Sequence, residues 1–241
     1  MPRGALRVSI LVLLLLSPDA RAYRPFDSTD ADVTDAKELE IELGYFTMER
    51  TDGENSFVVP QFVLNYGLSS HLELVAEFEL EKPQGSSGEV TDAAILLKRL
   101  VNEGVLQDQP GRSFAIEAGV LLPSTSEQQY GAEAIGVLSG QLSSFLYHLN
   151  FGGGLDRTDS RAFAVWGAIL ELPVRANLRV VGEINGESVR GEAAENSALL
   201  GVIWESPASG HSFDAGVRWG LSSAAPDWAL TLGWTFSFAG K

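Results

Sequence analysis

Leu230-Thr231-Leu232-Gly233-Trp234-Thr235-Phe236-Ser237-Phe238 alternates without a break. Side chains along a strand point to opposite faces in turn, so Leu230, Leu232, Trp234, Phe236 and Phe238 share one face and Thr231, Gly233, Thr235 and Ser237 the other. Large apolar groups on one side and small polar ones on the other suit a membrane barrel better than an ordinary protein core.

The same two-faced pattern recurs upstream. Leu72, Leu74, Ala76, Phe78 and Leu80 oppose Glu73, Val75, Glu77, Glu79 and Glu81, while Leu39, Ile41, Leu43 and Tyr45 oppose Glu38, Glu40, Glu42 and Gly44. Phe213, Ala215, Val217 and Trp219 oppose Ser212, Asp214, Gly216 and Arg218, and Leu178, Val180, Gly182 and Ile184 oppose Arg179, Val181, Glu183 and Asn185. A helix would scatter these charges around its circumference. The pattern predicts strands over 38–49, 56–66, 71–81, 90–100, 113–122, 133–142, 145–154, 161–171, 176–185, 195–204, 211–220 and 227–238, each long enough to cross a bilayer when tilted. The expected fold is all-β, a single antiparallel up-and-down transmembrane barrel of twelve strands spanning 38–241.

Three stretches fit less well. Phe163 to Leu170 is apolar on both faces, Ile135 to Leu138 lacks a polar side, and Pro60 interrupts the second segment, where its missing N–H predicts a bulge or pairing that starts after it. The connections alternate between longer polar loops and tight turns such as Gly67-Leu68-Ser69-Ser70 and Ser143-Ser144, as porin-type barrels do. Val101 to Arg112 is the exception, long for a turn on the periplasmic side.

Arg3 and Arg7 precede an apolar run from Val8 to Leu16, and Ala20-Arg21-Ala22 supplies a small-x-small site, so residues 1–22 read as a secretory signal peptide cleaved after Ala22. Residues 23–37, polar and without either period, read as an extended periplasmic leader. Beyond the signal run no apolar stretch is long enough for a membrane helix. The absence of cysteine excludes disulfides and thiol chemistry. A formal net charge of −15 argues against a nucleic-acid partner.

The polar face is therefore where function is sought, and Glu73, Glu77, Glu79, Lys98, Glu117, Arg179, Glu183, Asp214 and Arg218 are the candidate lumen-lining residues. Opposed rows of such charges would screen solutes by charge as well as size, the acidic rows leaning toward cations. Twelve strands close to a backbone diameter of roughly 24 Å, leaving a lumen of about 10 Å. His71, His148 and His211 are too separated to suggest a metal site. His148 falls on the lumen face with Leu146 and Asn150, away from the lipid wall where an outer-membrane lipase would need its Ser and His. No catalytic, metal or cofactor residue is assigned, and no enzyme is expected. The partners expected are outer-membrane lipid and a small-molecule solute. The leading functional reading is an outer-membrane channel or transporter for small solutes. The alternatives are a non-conducting structural or assembly barrel, plugged by salt-bridged side chains or by the 23–37 leader, and a soluble secreted β-sandwich or lipocalin-like binder.

Two resemblances sharpen this reading. Thr231, Gly233, Phe236 and Phe238 resemble the C-terminal assembly signal of bacterial outer-membrane barrels, although Ala239-Gly240-Lys241 follows; the resemblance implies recognition by the barrel assembly machinery. Arg24-Pro25-Phe26, Leu39-Glu40-Ile41-Glu42-Leu43-Gly44 and Tyr66-Gly67-Leu68-Ser69-Ser70-His71-Leu72-Glu73-Leu74, with Asp92 to Lys98 and Leu121-Leu122-Pro123-Ser124, resemble the MetA-pathway-of-phenol-degradation family. Thr91 stands where that family usually has glycine. This resemblance implies an outer-membrane barrel with a transport role and carries over no functional residue.

Overall fold

The computed structural model describes residues 24–83, 85, 87–125, 127–207, 209 and 211–239. The expected signal peptide and its cleavage after Ala22 lie outside the described residues. Twelve strands follow one another: β1 (Glu38–Thr51), β2 (Glu54–Ser69), β3 (Leu72–Pro83), β4 (Glu89–Asn102), β5 (Ser113–Leu121), β6 (Gly131–Leu142), β7 (Phe145–Leu155), β8 (Ala162–Arg175), β9 (Leu178–Val189), β10 (Glu195–Glu205), β11 (Ser212–Gly220) and β12 (Trp228–Ala239). Each pairs antiparallel with its sequence neighbours, and β1 pairs with β12 to close the barrel. Closure leaves no edge strand, so the backbone polar groups of the wall are satisfied within the sheet, as a bilayer demands.

Alternation sorts the side chains as expected. The outward face exposes Ile95, Leu97, Leu149, Phe151, Leu170, Leu200 and Leu232, whereas Glu73, Lys98, Glu183 and Asp214 are buried inside. This is the reverse of a soluble protein, and a closed single sheet with a greasy exterior replaces the β-sandwich or lipocalin-like alternative. Toward the end where β10 turns into β11 and β12 finishes, Trp204 stacks on Phe213 with centroids 5.7 Å apart, Phe213 on Trp234 at 6.0 Å, and Phe236 meets Phe238 edge-on at 5.3 Å. His211 takes part in this girdle, accepting a 2.8 Å hydrogen bond from Trp234 Nε1.

The irregular stretches have local causes. The β2–β3 register shifts between Val58 and Gln61, so the bulge falls where Pro60 lacks its N–H. The β1–β2 connection is a two-residue turn, Asp52-Gly53, with φ of 50° and 87°. That left-handed pair is the hairpin conformation Asp-Gly favours. The long β4–β5 connection folds back on itself through a 3-10 turn, Val105–Gln107, and its Leu106 packs inward with Ala31, Ala115 and Val137. It closes part of the mouth at the short-turn end.

Candidate functional site in the barrel lumen

The nine predicted lumen residues all project from inward-facing positions, but they do not form one site. On the β9–β11 wall, Arg218 donates to Glu183 at 2.7 Å and pairs with Asp27 at 2.9 Å. Near the short-turn end, Arg179 binds Glu171 at 2.5 Å and Glu205 at 2.9 Å. Asp214 lies 3.6 Å from Nε of Arg24. Lys98, 1% exposed, reaches Thr29 Oγ1 at 3.1 Å and Asp30 at 4.0 Å. Glu73 accepts the backbone N–H of Thr34, and Glu79 accepts from Gln61. Glu77 and Glu117 line the remaining open space.

Most of these partners belong to residues 24–36, which do not lie outside the barrel as the leader expectation had it. The segment circles the inside of the wall. Arg24 donates to Gln61 of β2 and Thr231 of β12, and its backbone N–H goes to Glu42 of β1. Asp27 and Ser28 give their N–H groups to Glu183 of β9, Thr29 exchanges two hydrogen bonds with Asn150 of β7, and Ala31 N–H donates to Ser139 of β6. Asp32 accepts from Gln107, and Ala36 bridges to Gly67 of β2. Phe26 rests on Val181, Leu199 and Ile203. The physical reason is that a polar segment with no sheet partner must place its N–H groups somewhere, and lumen carboxylates are strong acceptors.

The wall makes room for it. A Cβ at Gly67 would overlap the carbonyl oxygens of Thr34 and Asp35, and one at Gly167 would overlap the Ser28 hydroxyl. Gly67→Val is therefore expected to unseat residues 34–36 while leaving the barrel closed. Faster protease cleavage within 24–36, with unchanged heat-modifiable migration, is the expected result; equal protection would show that the wall does not set the segment's place. Gly233 and Thr231 of the predicted assembly signal also face inward, against Arg24 and Asp214, whereas Phe236 belongs to the outer girdle. Gly233 thus has a packing reason of its own.

His148 faces the lumen and is fully buried, but its partners are not those nearby in sequence. Its Nδ1 meets Ser139 Oγ at 2.8 Å and its Nε2 meets Glu171 at 3.1 Å. Ser139 and Glu171 come from the flanking strands, where register sets Ser139 opposite His148 and Ile169 opposite it on the other side. The order of groups is that of a hydrolytic relay. Here Ser139 is sealed under Ala31, both 0% exposed, and the network ties the segment to the wall.

Beyond the segment, toward the long loops, a cavity of about 550 Å³ remains. Among the described residues its lining carries thirteen carboxylates against four cationic side chains, Arg24, Lys98, Arg157 and Arg218. At its mouth Arg157 pairs with Asp92 at 3.0 Å and Glu127 at 3.2 Å, joining three loop-end elements. The neighbouring Asp156 orders the β7–β8 loop. Burial works against its charge, but the N–H groups of Asp159, Thr158 and Arg161, with the Arg161 guanidinium, hold it below the ordinary carboxylate range. A depressed folded pKa means that its stabilisation is present above the unfolded value and is lost as pH falls through the folded one. Amide exchange in residues 156–161 is expected to stay slow at neutral pH and accelerate on acidification, with Asp156→Asn fast throughout. A loop equally protected in D156N would refute this.

Closed wall, apolar exterior and charged interior together define a membrane-spanning β-barrel with a partly filled polar lumen. Comparison with solved structures agrees on the fold. The crystal structure of the COG4313 outer membrane channel from Pseudomonas putida F1 superposes with a TM-score of 0.62 at 11% identity, over 88% of this chain and 100% of that one. The NanC porin superposes at 0.61 with 5% identity, over 82% and 98%. No protein-family model matches the chain, and no curated protein matches it in sequence.

Proposed function

We propose that this protein is an outer-membrane channel for small solutes, constricted by its own N-terminal segment and favouring cations. The observation that carries the reading is the acidic cavity enclosed by a barrel whose outside is built for lipid. In a narrow lumen, carboxylate rows raise the local cation concentration and repel anions. Similarity of fold to the COG4313 channel and the NanC porin supports the outer membrane as location. The quoted motifs support a place beside the transporter-like barrels of the MetA-pathway-of-phenol-degradation family. Outer-membrane lipid would surround the barrel, and the assembly machinery would read the end of β12. The role is non-enzymatic, the Ser139–His148–Glu171 network holding the segment in place.

Reconstitution in planar bilayers tests this. Cation-selective conductance that weakens in a Glu77→Lys/Glu133→Lys variant is expected; absence of both conductance and solute uptake into liposomes would remove the channel role and leave the barrel. One observation favours a second reading, a non-conducting structural barrel: residues 24–36 touch nearly every strand around the lumen. Under that reading, removing their contacts would change stability without creating permeability.

A further inference from the structure

Within the cavity, charge and apolar surface are segregated. Val63, Val75, Leu96, Leu121 and Phe163 form one apolar wall packed together inside the lumen, where a water-filled pore would be expected to be polar. Glu77 of β3, Glu117 of β5 and Glu133 of β6 flank that wall. Glu117 is only 8% exposed, yet among the described residues it accepts no hydrogen bond and closes no ion pair. Its cross-strand neighbour Lys98 directs its ammonium to Thr29 and Asp30. Glu133 stands opposite Gly119, two residues from Glu117 on the same face, and Glu77 lines the same cavity from β3. Lys98, opposite Glu117, and Arg157 at the mouth offset only part of this charge, because carboxylates outnumber cations along the lining, and a bound positive charge beside the apolar wall offsets more of it.

We infer that this part of the lumen is a binding site for an organic cation, its apolar body against Leu96, Leu121 and Phe163 and its charged group among Glu77, Glu117 and Glu133. A bare metal ion fits less well: it needs several convergent oxygen ligands, and the described residues contain no such group of three. An organic cation is more weakly hydrated and uses both surfaces, the wall supplying affinity and the carboxylates orientation. The inference deepens the channel reading by naming its solute class, but binding can be measured without transport.

The probe is benzyltrimethylammonium, offered by equilibrium dialysis to the full folded protein in detergent, beside benzoate and tetramethylammonium. Saturable binding of benzyltrimethylammonium, at least tenfold tighter than that of tetramethylammonium and absent for benzoate, is expected. Glu77→Gln/Glu117→Gln/Glu133→Gln should weaken it at least tenfold, and Leu121→Thr should narrow the preference for the benzyl probe. Glu54→Gln, in the far β1–β2 hairpin, serves as control. Heat-modifiable migration identifies folded variants, and should the triple variant not fold, Glu77→Gln alone must weaken binding. Equal binding of benzoate, unchanged affinity in the folded carboxamide variants, or no preference for the benzyl probe would overturn the site. Conductance without such binding would leave the channel reading standing and remove this one; binding without conductance would do the opposite.

Discussion

A chain lacking residues 24–36 is expected to conduct severalfold more than the full protein. The segment occupies the lumen at the level of Asp214, Glu183, Asn150, Ser139 and Glu73 in turn, so solute passing between the two mouths must go around or through it. The twelve-strand closure is complete without it. Deletion also takes Asp27, Asp30, Asp32 and Asp35 out of the lumen with only Arg24, and releases Lys98 and Arg218 from Asp30 and Asp27, so cation preference should fall as conductance rises. Single-channel recording in planar bilayers checks both. If the shortened barrel folds and conducts no more than the parent, the segment is not the constriction and the second reading gains.

Arg218→Met is expected to destabilise the folded barrel by about 3 kcal/mol or more, since breaking the buried pair strands Glu183 without counter-charge. Arg218 is the cation between Glu183, at 2.7 Å, and Asp27, at 2.9 Å, and it also donates to Asn185 and Ser197. Glu183 has no exposed side-chain surface, so water cannot replace the guanidinium there. Urea titration of folding into detergent or lipid, followed by heat-modifiable migration, gives the difference. Arg218→Lys should recover only part of it, because a single ammonium cannot reproduce the fork that serves Glu183, Asn185 and Ser197 together. A loss below about 1 kcal/mol, the range of exposed pairs, would show that the lumen at this level is wet.

The sites of these two experiments differ in how far they could be read beforehand. Arg218 and Glu183 were legible because alternation assigned each to the inward face, but not their pairing, since the two stand on strands that are not neighbours, both opposite Leu199, and meet straight across β10. Glu171 and Ser139, the partners of His148, carried no local signal. The apolar lumen positions were obscure for a related reason. Val137 and Ile135 left β6 without a polar side because they pack on Ala31, Leu106 and Ala115, and Phe163 left β8 apolar on both faces because it joins the lumen wall of Leu96 and Leu121. An apolar residue that faces lipid and one that faces a buried segment look the same in one dimension.

By itself the sequence determined the strands, their inward and outward faces and the barrel, because contact with lipid on one side is imposed residue by residue and leaves a period of two. Only the tertiary structure decided what fills the lumen. Residues 24–36 have no period to read, and their place depends on acceptors from strands up to 207 residues away, brought to one level only when β1 meets β12.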